Sequence, residues 1–163
     1  MITIRQAQEE DMAALCSLFE KPADYFARCL AEQNEGKRQI FIAAADGLDS
    51  SFGVLNWAPR YALYKRLGIP EIQDLNTISA ARGQGLASAL IAHCEDLARK
   101  KSCDTIGISV GLHSRFGAAQ RLYVKLGYVP DGFGVTYDRQ PVTAGEFRPV
   151  DDDLCLMMVK ALQ

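Results

Sequence analysis

No stretch of this 163-residue sequence approaches the roughly 18–20 consecutive apolar residues needed to span a membrane. The N-terminal Met1-Ile2-Thr3-Ile4-Arg5-Gln6 lacks a long apolar core and a small-residue cleavage site, so no secretory signal is read and a cytoplasmic location is expected. Neither sign of charge dominates: 18 basic and 20 acidic residues leave a net charge of −2. That balance argues against a surface built to neutralise nucleic-acid phosphates. Short basic clusters such as Arg99-Lys100-Lys101 suit a solvated helix end. Paired cysteine spacing is missing as well. Cys16, Cys29, Cys94, Cys103 and Cys155 are odd in number and contain no CxxC, and His93 and His113 are not spaced with them as metal ligands. Reduced thiols are expected, with no metal and no disulfide framework.

What is present is ordinary for one soluble domain spanning residues 1–163: 48% apolar and 23% charged residues, enough to bury a core. Ile2–Arg5 reads as a short strand. Glu9-Glu10-Asp11 sits where a helix favours negative charge in its first turn, with Met12, Leu15, Leu18 and Phe19 at helical spacing after it. Pro22 is placed to open a second helix striped by Tyr25, Phe26, Cys29 and Leu30. Ile40–Ala44 and Phe52–Trp57 read as strands joined through Asp46-Gly47. Pro59–Pro70 is a long connection with room for a short helix. Glu71–Ile78 reads as a central strand, and Gln84–Lys101 as the clearest helix, its apolar face formed by Leu86, Leu90, Ile91, Cys94 and Leu97. Ile106, Ile108, Val110 and Leu112 alternate strictly, the signature of a strand. Arg115–Leu126 reads as a short helix, followed by strands from Tyr128 and over Leu154–Val159. Helices alternate with strands only in the second half, which indicates a mixed α/β sheet.

The most informative segment is Arg82-Gly83-Gln84-Gly85-Leu86-Ala87. It follows a strand, opens a long helix and has no Ser, Thr, Asp or Asn in the N-cap position. The first backbone N–H groups of such a helix need an acceptor, and an anion satisfies both them and the helix dipole. Glycines let the backbone approach an anion closely, and Arg82 adds positive charge. A tight turn that binds nothing is the plain alternative. A dinucleotide turn is disfavoured, because the third position is Ser88 and the acid expected about 20 residues on would be Asp104, at the start of a strand. A P-loop is excluded by the lack of a following Gly-Lys-Ser/Thr.

Arg82-x-x-Gly85-x-Ala87 resembles the (Gln/Arg)-x-x-Gly-x-(Gly/Ala) motif of the GNAT superfamily of acetyl-CoA-dependent N-acetyltransferases. Leu122-Tyr123-Val124-Lys125-Leu126-Gly127-Tyr128 resembles that superfamily's Leu-Tyr-x-Lys-x-Gly-Phe/Tyr segment, and the order of elements fits over nearly the whole chain. Gly68–Asn76 and Ala119–Tyr123 are similar to segments of bacterial members with no settled substrate. The resemblance implies the acyl-CoA N-acyltransferase fold: a mixed, mostly antiparallel sheet of about six or seven strands flanked by about four helices.

It also implies direct attack of an amine on the thioester of acetyl-CoA within a ternary complex. Tyr123 matches the general acid that protonates the departing thiolate, although a core tyrosine is the plain alternative. Glu71 matches a base glutamate, with Asp74 and His113 as fallbacks. An ordinary carboxylate, with pKa near 4.3, is a weak base for an ammonium without burial or a relaying water. A regular strand would put Glu71, Gln73, Leu75 and Thr77 on one face. Backbone groups of Leu75, Asn76 and Thr77 would hold the pantetheine arm, and one N–H would serve the oxyanion. Arg82, Gly83, Gln84, Gly85, Leu86, Ala87 and Ser88 would hold the pyrophosphate. Tyr61, Asp74 and Tyr137 are candidates to line the acceptor pocket. One departure stands out: the superfamily often carries Asn seven residues before the tyrosine, where this chain has Phe116.

The expected activity is therefore acetyl transfer to a primary amine on a small molecule or a peptide, with no nucleic-acid or membrane partner and with a homodimer left open. A non-catalytic acyl-CoA sensor is the alternative from another class; it would bind the thioester and never release thiol. A longer acyl donor or a hydroxyl acceptor is a third reading.

Overall fold

The computed structural model covers residues 1–163 and divides into two compact units. The first comprises Met1–Ala58 and Ile72–Leu97, the second Pro59–Glu71 and Ala98–Gln163.

In the first unit, β1 (Ile2–Gln6), β2 (Arg38–Ala45) and β3 (Leu48–Asn56) form an antiparallel meander, with β4 (Glu71–Thr77) next to β3. Phe41, Ile42, Phe52 and Val54 are β-branched or aromatic residues that fit a pleated, buried surface. Helices α1 (Met12–Leu18) and α2 (Tyr25–Asn34) set Leu15, Phe26, Cys29 and Leu30 against Ile40, Ile42, Phe52 and Val54. The Phe19 and Phe26 rings meet Phe52 edge-on, with centroids 4.7 and 5.2 Å apart. Each such buried ring contributes about 1.5–3 kcal/mol over an exposed one. Helix α4 (Leu86–Lys100) buries Leu86, Leu90, Ile91 and Cys94, as its apolar stripe predicts.

The second unit holds α3 (Ala62–Leu67), β5 (Thr105–Gly111), α5 (Gly117–Lys125), β6 (Val129–Tyr137), β7 (Gln140–Pro141) and β8 (Leu154–Ala161). Its strands run in the order β5-β8-β6-β7 with antiparallel pairing throughout. Tyr64 of α3 is fully buried; its hydroxyl donates to the Met158 carbonyl at 2.5 Å, and its ring lies on Gly107, where a Cβ would sit 2.4 Å away.

Several expectations need correction. Eight strands are present, one more than expected, the extra one being the two-residue β7; α3 is the short helix for which the Pro59–Pro70 connection had room. Glu9-Glu10-Asp11 forms a separate 3-10 turn, and α1 starts only at Met12. Asp11 there accepts from Gln8 N–H at 2.8 Å and from Arg5 at 2.7 Å. Helix α2 starts at Tyr25, whose N–H meets the Pro22 carbonyl in a preceding turn. Helix α4 starts at Leu86 because Gly83 and Gly85 both lie in the left-handed region, at φ 76° and 85°. Strand β4 is not regular. Asp74 takes φ 53°, so the alternation that would align Glu71, Gln73, Leu75 and Thr77 breaks in mid-strand. No helix is long and apolar enough to cross a membrane.

Candidate functional site

The glycine turn belongs to the first unit. After β4, Ser79–Ala81 makes one 3-10 turn, anchored by Ile78 N–H on the Ser50 carbonyl at 2.9 Å. Arg82, Gly83, Gln84 and Gly85 then run exposed, and Leu86 is buried as the helix begins. The Ala89 N–H meets the Gly85 carbonyl at 3.0 Å. The N–H groups of Leu86, Ala87 and Ser88 therefore precede any i−4 carbonyl of the helix and are the ones an anion would satisfy. A Cβ added at Gly83 would meet nothing within 4 Å, and one at Gly85 only the tip of Ile2 at 3.9 Å. Packing does not require glycine at either place; the backbone conformation does. This open, left-handed turn fits the close approach of a pyrophosphate.

Strand β4 presents its second half differently from its first. Beyond the distortion at Asp74, Leu75, Asn76 and Thr77 are each half-buried. The Ser51 hydroxyl bonds the Asn76 carbonyl at 2.7 Å and lies 2.9 Å from the Thr77 hydroxyl, which fixes this stretch to β3. Asp74 itself is turned outward. Its Oδ2 accepts from the Tyr25 hydroxyl at 2.5 Å, and Lys21 Nζ lies 3.9 Å from Oδ1. Burial, and then the Asp74 charge, push the Tyr25 phenol far above its ordinary range. From the sequence Tyr25 reads only as part of an apolar helical stripe, and no local signal marks Lys21.

The second unit carries the other candidates. Tyr123 lies on α5, 7% exposed, with its ring 6.3 Å from that of Tyr128. Burial pushes its phenol up to about 12, so it remains a proton donor at neutral pH. Glu71, at the first residue of β4, has no exposed surface, and Arg139 Nη2 donates to its Oε1 at 2.9 Å. The same Nη2 reaches the Ser109 hydroxyl at 3.2 Å. Arg139 sits with Asp138 in the two-residue loop between β6 and β7, and both have positive φ, at 61° and 46°. The sequence gives no turn signal there, since neither residue is glycine, and so Arg139 escaped notice.

Tyr61 is buried, with its hydroxyl on Asp131 at 2.6 Å. Tyr137 is half-buried and donates to Asp151 at 2.7 Å. His113 caps the 3-10 turn before α5, its Nδ1 accepting from Arg115 N–H at 3.2 Å. Phe116, the departure from the family pattern, has its ring against Gly111, where a Cβ would lie 2.4 Å from it. Its role is thus packing against the end of β5.

Comparison with known proteins gives the family and the fold. An aminoalkylphosphonate N-acetyltransferase of Salmonella typhimurium is 29% identical over 143 residues, which cover 82% of this chain and 88% of that protein. Two solved structures share the fold. The ribosomal-protein-alanine N-acetyltransferase of Brucella melitensis superposes with a TM-score of 0.72 at 17% identity, covering 98% of this chain and 99% of its own. An acetyltransferase of Salmonella typhimurium, solved with its cofactor acetyl-CoA, gives 0.71 at 17% identity, covering 100% of this chain and 95% of its own. The family model for GNAT acetyltransferases matches residues 4–128, through the glycine turn and up to the Tyr123 segment. With that match over most of its length, the chain belongs to the acetyltransferase (GNAT) family and is an acetyltransferase that draws its acyl group from acetyl-CoA.

Proposed function

We propose that residues 1–163 act as one N-acetyltransferase domain that acetylates the primary amine of a small acceptor carrying an anionic group of its own. The family match runs through both compact units, which supports reading them as one domain. The relative that acts on aminoalkylphosphonates supports the acceptor class. The observation that carries the reading is the open turn at Gly83 and Gly85, left-handed at both positions and leading into α4.

In this reading the N–H groups of Leu86, Ala87 and Ser88, with Arg82, Gly83, Gln84 and Gly85, hold the pyrophosphate. Backbone groups of Leu75, Asn76 and Thr77 align the pantetheine arm, and one of their N–H groups stabilises the oxyanion. The acceptor gives up a proton to become a free amine and attacks the thioester carbonyl. Collapse of the tetrahedral adduct breaks the C–S bond, the Tyr123 hydroxyl protonates the leaving sulfur, and the second proton shed by the nitrogen as it becomes an amide restores the phenol. Glu71 takes the amine proton through a relaying water, because its buried carboxylate has one oxygen held by Arg139. The unpaired, free cysteines favour a reducing, cytoplasmic setting.

The test combines calorimetry with turnover. Acetyl-CoA binds, and thiol is released when small primary amines are added. The Tyr123→Phe variant keeps acetyl-CoA affinity and loses about 100-fold or more in kcat, the scale of one general acid. A wild-type protein that binds acetyl-CoA and releases no thiol with any amine would overturn catalysis in favour of a sensor.

A further inference from the structure

The outward face of β4 holds a charge arrangement that the shared transfer chemistry does not require. Asp74 adopts φ 53° in mid-strand, a left-handed conformation that aspartate tolerates but that breaks a strand's regular alternation. The distortion turns a carboxylate out of the strand, with 37% of its side chain exposed. One oxygen is held by the Tyr25 hydroxyl at 2.5 Å. The other faces Lys21 Nζ across 3.9 Å, too far for a hydrogen bond. Lys21 keeps only 21% of its side chain exposed. Its ammonium lies 5.1 Å from the centre of the Tyr25 ring and 5.9 Å from that of Phe52. Two opposite charges are thus held from different elements, close together and not bonded directly to each other.

We propose that Lys21, Tyr25 and Asp74 form an acceptor-recognition subsite for a zwitterionic amine, Asp74 receiving the ammonium and Lys21 the anionic group. Three features support this. The Lys21–Asp74 gap leaves each charge able to take a stronger, direct hydrogen bond from a ligand. The aromatic rings under Lys21 and the Tyr25 hydroxyl on Asp74 limit side-chain motion, so less ordering entropy is lost on binding. Asp74 also directly precedes Leu75, Asn76 and Thr77, at about 3.3 Å of strand per residue. A ligand on Asp74 is therefore within a few residues' length of the backbone assigned above to the thioester arm. A simple alkylamine would engage Asp74 alone and leave Lys21 idle. A molecule with an anionic group a few bonds from its amine engages both, which predicts a preference for it.

This inference rests on the reading that the chain acetylates a small amine, and the experiment separates the two. Binding of 2-aminoethylphosphonate to the full chain with coenzyme A is measured by calorimetry and 31P NMR. Thiol release with acetyl-CoA is followed in parallel for 2-aminoethylphosphonate and ethylamine. Lys21→Met weakens phosphonate binding about 10-fold or more, the scale of losing one hydrogen bond between charged groups. Its effect on ethylamine is smaller, so the ratio of the phosphonate KM to the ethylamine KM rises about 10-fold. Lys21→Arg retains phosphonate binding, and Asp74→Asn weakens both amines. Thermal melts of the Lys21 variants, whose side chain lies outside the apolar core, report folding. Equal phosphonate affinity in wild type and Lys21→Met overturns the subsite, as does a wild type that binds no phosphonate. If ethylamine is still turned over in those cases, the acetyltransferase reading survives. Phosphonate binding lost in Lys21→Met without thiol release from any amine would uphold the subsite and overturn catalysis.

Discussion

Two hairpins in this protein make the same turn with different residues. Asp46-Gly47 joins β2 to β3, and Asp138-Arg139 joins β6 to β7; all four residues have positive φ, at 51°, 84°, 46° and 61°. Paired positive φ values mark the turn that matches the right-handed twist of hairpin strands. At the first hairpin the strained second position is glycine, exposed and with nothing within 4 Å of where a Cβ would be. At the second it is arginine, whose guanidinium reaches a fully buried carboxylate, Glu71, at 2.9 Å. The first turn only has to reverse the chain. The second must also deliver a side chain, and the fold tolerates left-handed strain to do it. Asp74 follows the same logic within a strand, whereas at Gly83 and Gly85, as at Gly47, the left-handed positions are filled by glycine and deliver no side chain.

The strongest way to break this comparison is to make the second hairpin like the first. Arg139→Gly removes roughly 1–2 kcal/mol of strain but takes the arginine partner from the buried Glu71 carboxylate, which costs about 3–5 kcal/mol. The net is a loss of roughly 1–4 kcal/mol, read as a lower urea midpoint. Adding Glu71→Gln to that variant recovers part of the loss, a non-additivity that a double-mutant cycle measures. A single Arg139→Gly variant as stable as wild type would show that the arginine is not held there for Glu71.

Gly85→Ala tests the backbone side of the argument. With open space around it, the penalty is conformational, roughly 1–2 kcal/mol, and acetyl-CoA affinity falls about 10-fold by calorimetry as the turn relaxes. Gly47→Ala carries a similar loss of about 1 kcal/mol in stability and leaves acetyl-CoA affinity unchanged. An equal effect of both glycines on affinity would remove the distinction between them.

The smallest change is expected at Asp138. Aspartate tolerates the left-handed region, and its ion pair with Arg60 at 2.9 Å is well exposed on both sides. Asp138→Gly therefore shifts stability by no more than about 0.5 kcal/mol in either direction. A control outside the hairpins uses pH. The Tyr123 phenol, about 12 when folded, lies above its unfolded value near 10. Its contribution is complete below pH 10 and is lost as pH rises through 12. Tyr123→Phe flattens that alkaline loss in pH-dependent melts, and the hairpin variants do not.

Much of this was legible beforehand, and for identifiable reasons. The helical stripe of Leu86, Leu90, Ile91 and Cys94, the alternation of Ile106, Ile108 and Val110, and the Asp46-Gly47 turn are local signals, each set by residue type and spacing. The glycine turn was legible because glycine marks left-handed backbone in the sequence itself. The Arg139–Glu71 pair was not, because its partners are 68 residues apart and no local rule favours arginine at positive φ. Regular alternation through β4 failed for the same reason: Asp74 has no intrinsic need for φ 53°.

By itself, then, the sequence determined the order of elements, the buried stripes and the family chemistry, because periodicity, turn residues and short motifs act within a few residues of one another. Only the tertiary structure decided which charges meet. Glu71 with Arg139 and Ser109, and Asp74 with Tyr25 and Lys21, are set by strand pairing and helix packing. Those long-range contacts decide where left-handed backbone is tolerated and which polar groups are paired.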